Sequence, residues 1–116
     1  MDFVIVFLGG GVGACLRFSI SLFIAARNLE LWKATLSANL IGTLLLLSAV
    51  KFIPETKMNS HFLRIGLLGA LTTFSTFSYE FMSAFQQGSY QTMLTILFVN
   101  LFGAFFLGYV FLVLLK

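Results

Sequence analysis

Four long apolar runs, separated by short polar stretches, constrain this chain more than any other feature of its sequence. They cover residues 3–26, 32–53, 61–85 and 90–115 of the 116. A helix needs roughly 20 apolar residues to cross a bilayer, so each run is long enough to span a membrane. The sequence therefore predicts an all-α membrane protein, with residues 1–116 forming a single domain of four transmembrane helices.

The chain also carries too little charge to cover a water-facing surface. Hydrophobic residues make up 59% of it and charged residues 9%, against about 25% charged residues in an average soluble domain. Its Lys and Arg residues are scattered, mostly near the ends of the apolar runs, which is usual for membrane proteins. We therefore expect lipid as its solvent and no nucleic-acid partner. One cysteine, Cys15, and one histidine, His61, exclude an internal disulfide and a Cys/His zinc site.

The first apolar run resembles two unrelated motifs, and neither interpretation holds. A secretory signal needs a positively charged start, whereas this run is preceded by Asp2 and no basic residue. Gly9, Gly11 and Ala14 match the G-x-G-x-x-A pattern, but that dinucleotide motif requires a strand before it and a βαβ unit around it. The spacing of Gly9 and Gly13 instead predicts close packing of two helices.

Two asparagines lie inside apolar runs. Asn39 is near the middle of the second run, and Thr35 and Thr43 lie one helical turn to either side on the same face. An asparagine at such depth forms a helix–helix hydrogen bond or lines a pore, and both interpretations remain open. Asn100, in the fourth run, is equally ambiguous.

The third run has an unusually polar centre. Residues 72–78 read TTFSTFS, which gives five hydroxyl groups and two phenylalanines in seven residues. Non-helical backbone at mid-membrane depth occurs only inside protein or beside a cavity, and broken helices mark ion sites. The sequence predicts such a break here. It also places Phe74 and Phe77 on one face, where the flanking hydroxyls favour a lined pathway over lipid contact.

Glu80 follows this polar centre one turn later. A carboxylate so deep in a membrane is costly and is usually functional or paired. Arg17 is the candidate charge partner. Two alternatives remain open, namely that Glu80 caps a helix or reaches an aqueous vestibule.

Motifs along the whole chain resemble the Fluc/CrcB fluoride channels, a family of small four-helix bacterial membrane proteins. Residues 10–18, GGVGACLRF, resemble the family's glycine-rich opening that ends in arginine, and residues 39–42, NLIG, resemble its N-x-x-G motif. Residues 66–80 resemble its signature G-x-x-G-x-x-T-T-F-S-T-F-S-x-E. The fourth run matches less sharply, because it offers Thr95 and Asn100 where the family has a track of hydroxyls.

The resemblance implies a channel, not an enzyme, that lets fluoride leave the cell passively across the bacterial cytoplasmic (inner) membrane. It implies an antiparallel, dual-topology homodimer with two pores, although a heterodimer with a paralogue stays open. Asn39, Phe74 and Phe77 would line each pore, and Ser75 and Thr76 would add hydroxyl donors. A structural sodium ion at the dimer centre would be held by backbone carbonyls, for which we name Gly69, Thr72 and Thr73.

The basic residues favour neither orientation in the membrane strongly, which agrees with dual topology. One side would hold Lys51, Lys57, Arg64 and Lys116, and the other Arg27 and Lys33. The main alternative function is a proton-coupled small multidrug exporter, but it needs a carboxylate within the first span, which has none beyond Asp2. A non-transporting accessory subunit, or a hydrolase using Ser75, are further alternatives; the hydrolase lacks a nearby base.

Overall fold

The computed structural model describes residues 1–114 as helices joined by short turns, with no β-strand in that range. Leu115 and Lys116, the end of the expected fourth span, lie outside the described residues. The elements are α1 (Asp2–Ala26), α2 (Trp32–Phe52), α3 (Lys57–Asn59), a π-helical segment (Ser60–Leu68), α4 (Gly69–Leu71), α5 (Phe74–Gln86) and α6 (Tyr90–Leu114). The predicted all-α class is therefore confirmed for the described chain.

Three of these helices are long and apolar enough to cross a membrane. They are α1, α2 and α6, of 25, 21 and 25 residues. At 1.5 Å per residue, 25 residues extend about 37 Å, more than the roughly 30 Å of a hydrocarbon core. Large apolar side chains such as Phe7 and Phe105 cover their outer faces. This is the architecture of a multi-pass membrane protein.

Two of the helix-to-helix turns use the same backbone device. After α1, Asn28 adopts a left-handed conformation (φ 54°), and the N–H of Leu29 donates to the carbonyl of Ile24 at 3.3 Å. Gly88, with φ 70°, ends α5 in the same way. Asparagine and glycine are the residues that tolerate this conformation, so the two short polar stretches reverse the chain tightly.

The third apolar run is not one continuous α-helix. Helical geometry ends at Leu71, and the next two residues are extended: Thr72 has φ −81° and ψ 155°, and Thr73 has φ −152° and ψ 123°. Helix α5 then begins at Phe74, where the Thr73 hydroxyl accepts a hydrogen bond from the N–H of Thr76 at 3.2 Å. We call Thr72–Thr73 the extended pair. It separates an N-terminal half (57–71) from a C-terminal half (74–86).

The N-terminal half packs against α1 through bare backbone. A Cβ added at Gly13 would collide with the carbonyl of Leu67, and one at Gly9 with that of Phe62. From the other side, a Cβ on Gly66 would lie 2.9 Å from the carbonyl oxygen of Val6. These glycines let the π-helical segment approach α1 more closely than any side chain allows.

The C-terminal half packs between α2 and α6 through side chains. Phe77 and Ile96 are 6% and 1% exposed and form one buried cluster with Ala84. A second buried cluster, around Ala38 and Leu71, lies on the other side of the extended pair. The two clusters hold the helices on either side of the break, so the extended pair lies between two packed regions.

Candidate functional site

An open cavity of about 420 Å³ lies beside the extended pair, between α2, α6 and the third apolar region. It brings together six of the residues predicted for the pore and the cation site. Its lining consists of Asn39, Thr43, Leu46, Gly69, Thr72, Thr73, Phe74, Phe77, Asn100, Leu101 and Ala104. No charged side chain belongs to this described lining.

Asn39 is bound to the extended pair at two points. Its Oδ1 accepts a hydrogen bond from the backbone N–H of Thr73 at 2.7 Å, and its Nδ2 donates to the backbone carbonyl of Thr73 at 3.1 Å. The same Nδ2 donates to Oδ1 of Asn100 at 3.1 Å. A primary amide carries two N–H donors, so both are taken by protein acceptors. We call Asn39, Thr73 and Asn100 the carboxamide cluster.

The hydroxyls predicted as pore donors contact Thr73. Ser75 Oγ lies 3.2 Å from Thr73 Oγ1, and Thr73 Oγ1 donates to Thr76 Oγ1 at 3.1 Å. Neither Ser75 nor Thr76 lines the cavity beside the extended pair. Thr76 lines a separate cavity of about 270 Å³ that also includes Arg17 and Thr35. Of the predicted donors, Asn39 thus lines the first cavity, Thr76 lines the second, and Ser75 lines neither.

The two predicted phenylalanines both line the larger cavity, but from different depths. Their ring centroids are 5.4 Å apart and the ring planes are inclined by 54°. Phe77 is 6% exposed, whereas Phe74 is 74% exposed. The Phe77 ring therefore belongs to the protein interior, and the Phe74 ring forms the open side of the cavity.

The end of α4 is where the residues predicted to hold a cation lie in the chain. A helix leaves its last carbonyls without helical partners, and α4 ends just before the extended pair. The carbonyl of Thr72 accepts from Arg17 Nη1 at 3.4 Å, and that of Thr73 accepts from Asn39 at 3.1 Å. Each carbonyl retains a second lone pair. Hard cations prefer such oxygen ligands, so the donors of Gly69, Thr72 and Thr73 are of the type that sodium requires.

Arg17 and Glu80, the expected charge partners, do not pair with each other among the described ion pairs. Glu80 Oε1 instead accepts a hydrogen bond from the hydroxyl of Thr35 at 2.6 Å. Arg17 reaches the Thr72 carbonyl at the end of α4, where the helix dipole is negative. The expected ion pair between Arg17 and Glu80 is therefore corrected. The hydroxyl of Thr35 binds the Glu80 carboxylate, and the carbonyl of Thr72 binds the Arg17 guanidinium.

A further cavity, of about 360 Å³, lies at the end of the bundle where α2 and α6 begin and α5 ends. Glu80 and Trp32 both line it, and Glu80 Oε2 and Trp32 Nε1 are buried atoms without a hydrogen-bond partner in the described chain. Buried polar atoms of this kind are commonly satisfied by water. Glu80 thus borders a polar cavity, which corresponds to one of the roles that the sequence left open.

Asn100 and Thr35 are the site residues to which the sequence assigned no firm role. Each is buried, at 7% and 5% exposure, and each supplies the hydrogen-bond partner of a predicted site residue. The sequence contained one signal for these partners, namely that polar residues in different spans lie at similar depth in the membrane. Asn39 with Asn100, and Thr35 with Glu80, lie at such depths.

Comparison with known proteins gives a consistent result. The model of the family described as "CrcB-like protein, Camphor Resistance (CrcB)" matches residues 4–114. A "Fluoride-specific ion channel FluC" of Clostridium perfringens is 44% identical over 92 residues, covering 74% of this chain and 71% of the relative. "Fluoride-specific ion channel FluC 1" of Methanosarcina barkeri is 36% identical over 92 residues (79% and 78%). The Burkholderia pseudomallei FluC is 37% identical over 109 residues (88% and 83%).

Proposed function

The chain belongs to the CrcB-like protein family, and from this premise we propose that it is a fluoride-specific ion channel. It lets fluoride leave the cell down its gradient across the bacterial cytoplasmic membrane. No chemical step is involved, so the residues of the site bind and release the ion and transform nothing. The relatives that carry the fluoride-channel name match most of this chain, and it matches most of them.

The observation that carries this proposal is the cavity beside the extended pair. Fluoride is small and strongly hydrated, so a pore must replace its water with donors, yet binding must stay weak enough for release. The described lining contains two carboxamides, hydroxyls and two aromatic rings, and no charged side chain. Both N–H groups of Asn39 bind protein acceptors in this structure, so fluoride would take the place of one of these acceptors. The edge of a phenylalanine ring carries the positive end of its quadrupole and can face an anion. Asn39, Phe74 and Phe77 are the residues we assign to this pore, with Ser75 and Thr76 beside them.

The third apolar region acts as one membrane span broken at the extended pair. Helix α5 has 13 residues, or about 20 Å, which is too short to cross the roughly 30 Å hydrocarbon core alone. Irregular backbone at that depth requires protein partners. The two hydrogen bonds between Asn39 and Thr73 support this interpretation, because they satisfy both the N–H and the carbonyl of an extended residue.

The working unit is an antiparallel homodimer. In one chain the cavity is open and Phe74, one of its lining residues, is 74% exposed. A second copy packed on this face would enclose the cavity and cover the ring. The weak asymmetry of basic residues supports insertion in both orientations. A heterodimer with a paralogue would enclose the cavity equally well.

A structural sodium ion at the dimer centre fits the backbone oxygens described above. Gly69, Thr72 and Thr73 would hold it through their carbonyls, with equivalent oxygens from the second copy. When bound, the cation raises the electrostatic potential for anions without entering the pore. Replacing sodium by N-methylglucamine should then weaken the dimer, which cross-linking in detergent measures independently of transport.

Liposomes that contain only this chain test the proposed function. We expect fluoride efflux at rates well above those of protein-free liposomes, with chloride retained and no need for a proton gradient. Equal release of chloride would contradict fluoride specificity. Efflux that requires a proton gradient would favour the multidrug-type exporter. Efflux that appears only after a paralogue is added would replace the homodimer with a heterodimer.

Orientation has a separate test. Lys116→Cys in a Cys15→Ala background, labelled with an impermeant reagent from each side, should show comparable labelling on both sides. Lys116 is not among the residues that we assign to the pore or the cation site. Labelling from one side only, in protein that is fully active, would rule out the dual-topology homodimer.

A further inference from the structure

Within the carboxamide cluster, one residue has no role in the function proposed above. Asn100 lies in α6, is 7% exposed and accepts from Asn39 Nδ2 at 3.1 Å. The fourth span offers no charged group at this depth. The asparagine is thus a buried polar side chain whose presence requires a reason, because an unpaired amide in an apolar interior costs free energy.

The orientation of Asn100 is fixed by its own helix. Its Nδ2 donates to the backbone carbonyl of Ile96 at 3.0 Å, one turn earlier. An amide whose nitrogen is held in this way presents its oxygen on the opposite side. That oxygen is the one that faces Asn39. Asn100 therefore offers a pre-oriented acceptor and not a mobile polar group.

Asn39 needs this acceptor. Its amide has two N–H donors, and the geometry supplies two acceptors, the Thr73 carbonyl and Asn100 Oδ1. Once the nitrogen is placed between them, Oδ1 of Asn39 is left facing the N–H of Thr73, which it binds at 2.7 Å. Without Asn100, one N–H would be unpaired, and the amide could rotate away from the extended pair.

We propose that Asn100 is a positioning residue: it orients the amide of Asn39 and, through it, holds Thr73 in the extended conformation beside the cavity. The fourth span thereby acts on the backbone of the break through Asn39. The contact between α2 and α6 thus controls the geometry of the third span. Only the transport arm of the test rests on the proposed fluoride function.

Amide hydrogen exchange at Thr73 tests the proposal directly, in the purified wild-type dimer and in variants. Asn100→Leu and Asn100→Ala remove the acceptor, and we expect exchange of the Thr73 N–H to become about tenfold faster or more, since its bond to Asn39 weakens. In its protonated form, Asn100→Asp keeps both an O–H donor for the Ile96 carbonyl and an oxygen acceptor for Asn39, so with that carboxyl protonated the protection at Thr73 should stay within about threefold of wild type. Thr95→Val is the matched control, because its hydroxyl only donates to Gln91 in its own helix.

Fluoride efflux from liposomes gives the second arm. We expect efflux to fall in Asn100→Leu and Asn100→Ala, and combining either with Asn39→Leu should add little, since the two residues act in series. Unchanged protection of Thr73 in both apolar variants would overturn the positioning role, whatever happens to transport. Loss of protection in Thr95→Val as well would also overturn it. An absence of fluoride transport in the wild type would defeat the proposed function and leave the exchange result standing.

Discussion

The two halves of the third apolar region are held by different physical means. The half before the extended pair contacts α1 through glycines, with backbone against backbone and no room for a Cβ at Gly9 or Gly13. The half after it is tied to α2 by the hydrogen bond from Thr35 to Glu80, and the extended pair just before it by two hydrogen bonds between Asn39 and Thr73. Packing of the first half requires glycines, which have no side chain, whereas packing of the second half requires particular polar side chains.

This difference has consequences for function. Steric contact between backbones is insensitive to the ion in the site but intolerant of any added volume. A hydrogen-bonded contact tolerates changes of volume better, yet it fails when a partner is removed. The cavity that we propose as the pore is lined by Asn39 and Thr73, which form this hydrogen-bonded contact. We therefore expect mutations of the glycine contact to abolish folding, and mutations of the polar contact to reduce transport in protein that still folds.

The largest effect should come from Gly13→Leu. The new side chain would overlap the carbonyl of Leu67, and neither backbone can move aside without separating the helices. Overpacking of this kind should cost about 3 kcal/mol or more, so we expect no monodisperse protein on size-exclusion chromatography. Gly10→Ala is the matched control: nothing lies within 4 Å of its added Cβ, and it should purify like the wild type. Normal assembly of Gly13→Leu would contradict the close backbone contact.

Asn39→Asp should nearly abolish fluoride transport while the protein still assembles. A carboxylate there would face two acceptors, the Thr73 carbonyl and Asn100 Oδ1, and would place a negative charge in the path of an anion. Liposome efflux should fall by at least tenfold, on the scale of a lost charge-assisted contact. Asn28→Asp makes the same chemical change in the exposed turn after α1 and should transport normally. Efflux of the Asn39→Asp variant at the wild-type rate would contradict the assignment of Asn39 to the pore.

The next largest effect should come from replacing the phenylalanine rings of the cavity. Phe74→Ile and Phe77→Ile keep apolar bulk but remove the aromatic edge, and at least one should reduce fluoride efflux severalfold at normal protein yield. Phe77 is buried and Phe74 exposed, so only Phe77→Ile should also lower thermal stability. Phe105→Ile, at 75% exposure, controls for loss of an exposed ring away from the cavity. Wild-type efflux in both variants would mean that these rings only pack.

The smallest effect should be seen with Thr35→Val. It removes the 2.6 Å hydrogen bond to Glu80 and leaves that carboxylate without a described partner inside the bundle. We expect a loss of about 1–3 kcal/mol in the free energy of unfolding, as for other hydrogen bonds to charged groups. Equilibrium unfolding in detergent measures it. Thr95→Val, which removes only a bond within its own helix, should change stability by less. Equal losses of stability in the two variants would contradict a specific stabilising role for the hydrogen bond between Thr35 and Glu80.

Local patterns in the sequence were sufficient to predict the helices and the family. Runs of apolar residues identified α1, α2 and α6, because burial in lipid demands a continuous apolar surface. The resemblance to the Fluc/CrcB channels is confirmed by the family match over residues 4–114. The cluster of hydroxyls at 72–78 pointed to irregular backbone, since short polar side chains compete for backbone groups.

Contacts between helices were harder to predict, because they depend on the rotation of each helix about its axis. The pairing of Arg17 with Glu80 was expected from their charges alone, but the guanidinium finds a helix end and the carboxylate finds a hydroxyl. Nothing local marks residues 60–68 as π-helical. Their wider geometry occurs where Gly66 meets α1, a contact that only the folded chain contains. The dimer, the sodium ion and the pore assignments stay predictions.

The self-contained hydrogen bonding of the carboxamide cluster bears on how the protein is made. In the proposed dimer, a newly inserted subunit would stay alone in the bilayer until it met a second one, and an unpaired amide facing lipid would cost free energy during that time. Here Asn39, Asn100 and Thr73 satisfy one another within a single chain. The lone subunit therefore exposes mainly phenylalanine rings such as Phe74 to the acyl chains. If two copies pair in opposite orientations, as we propose, synthesis and pairing can therefore be separate events.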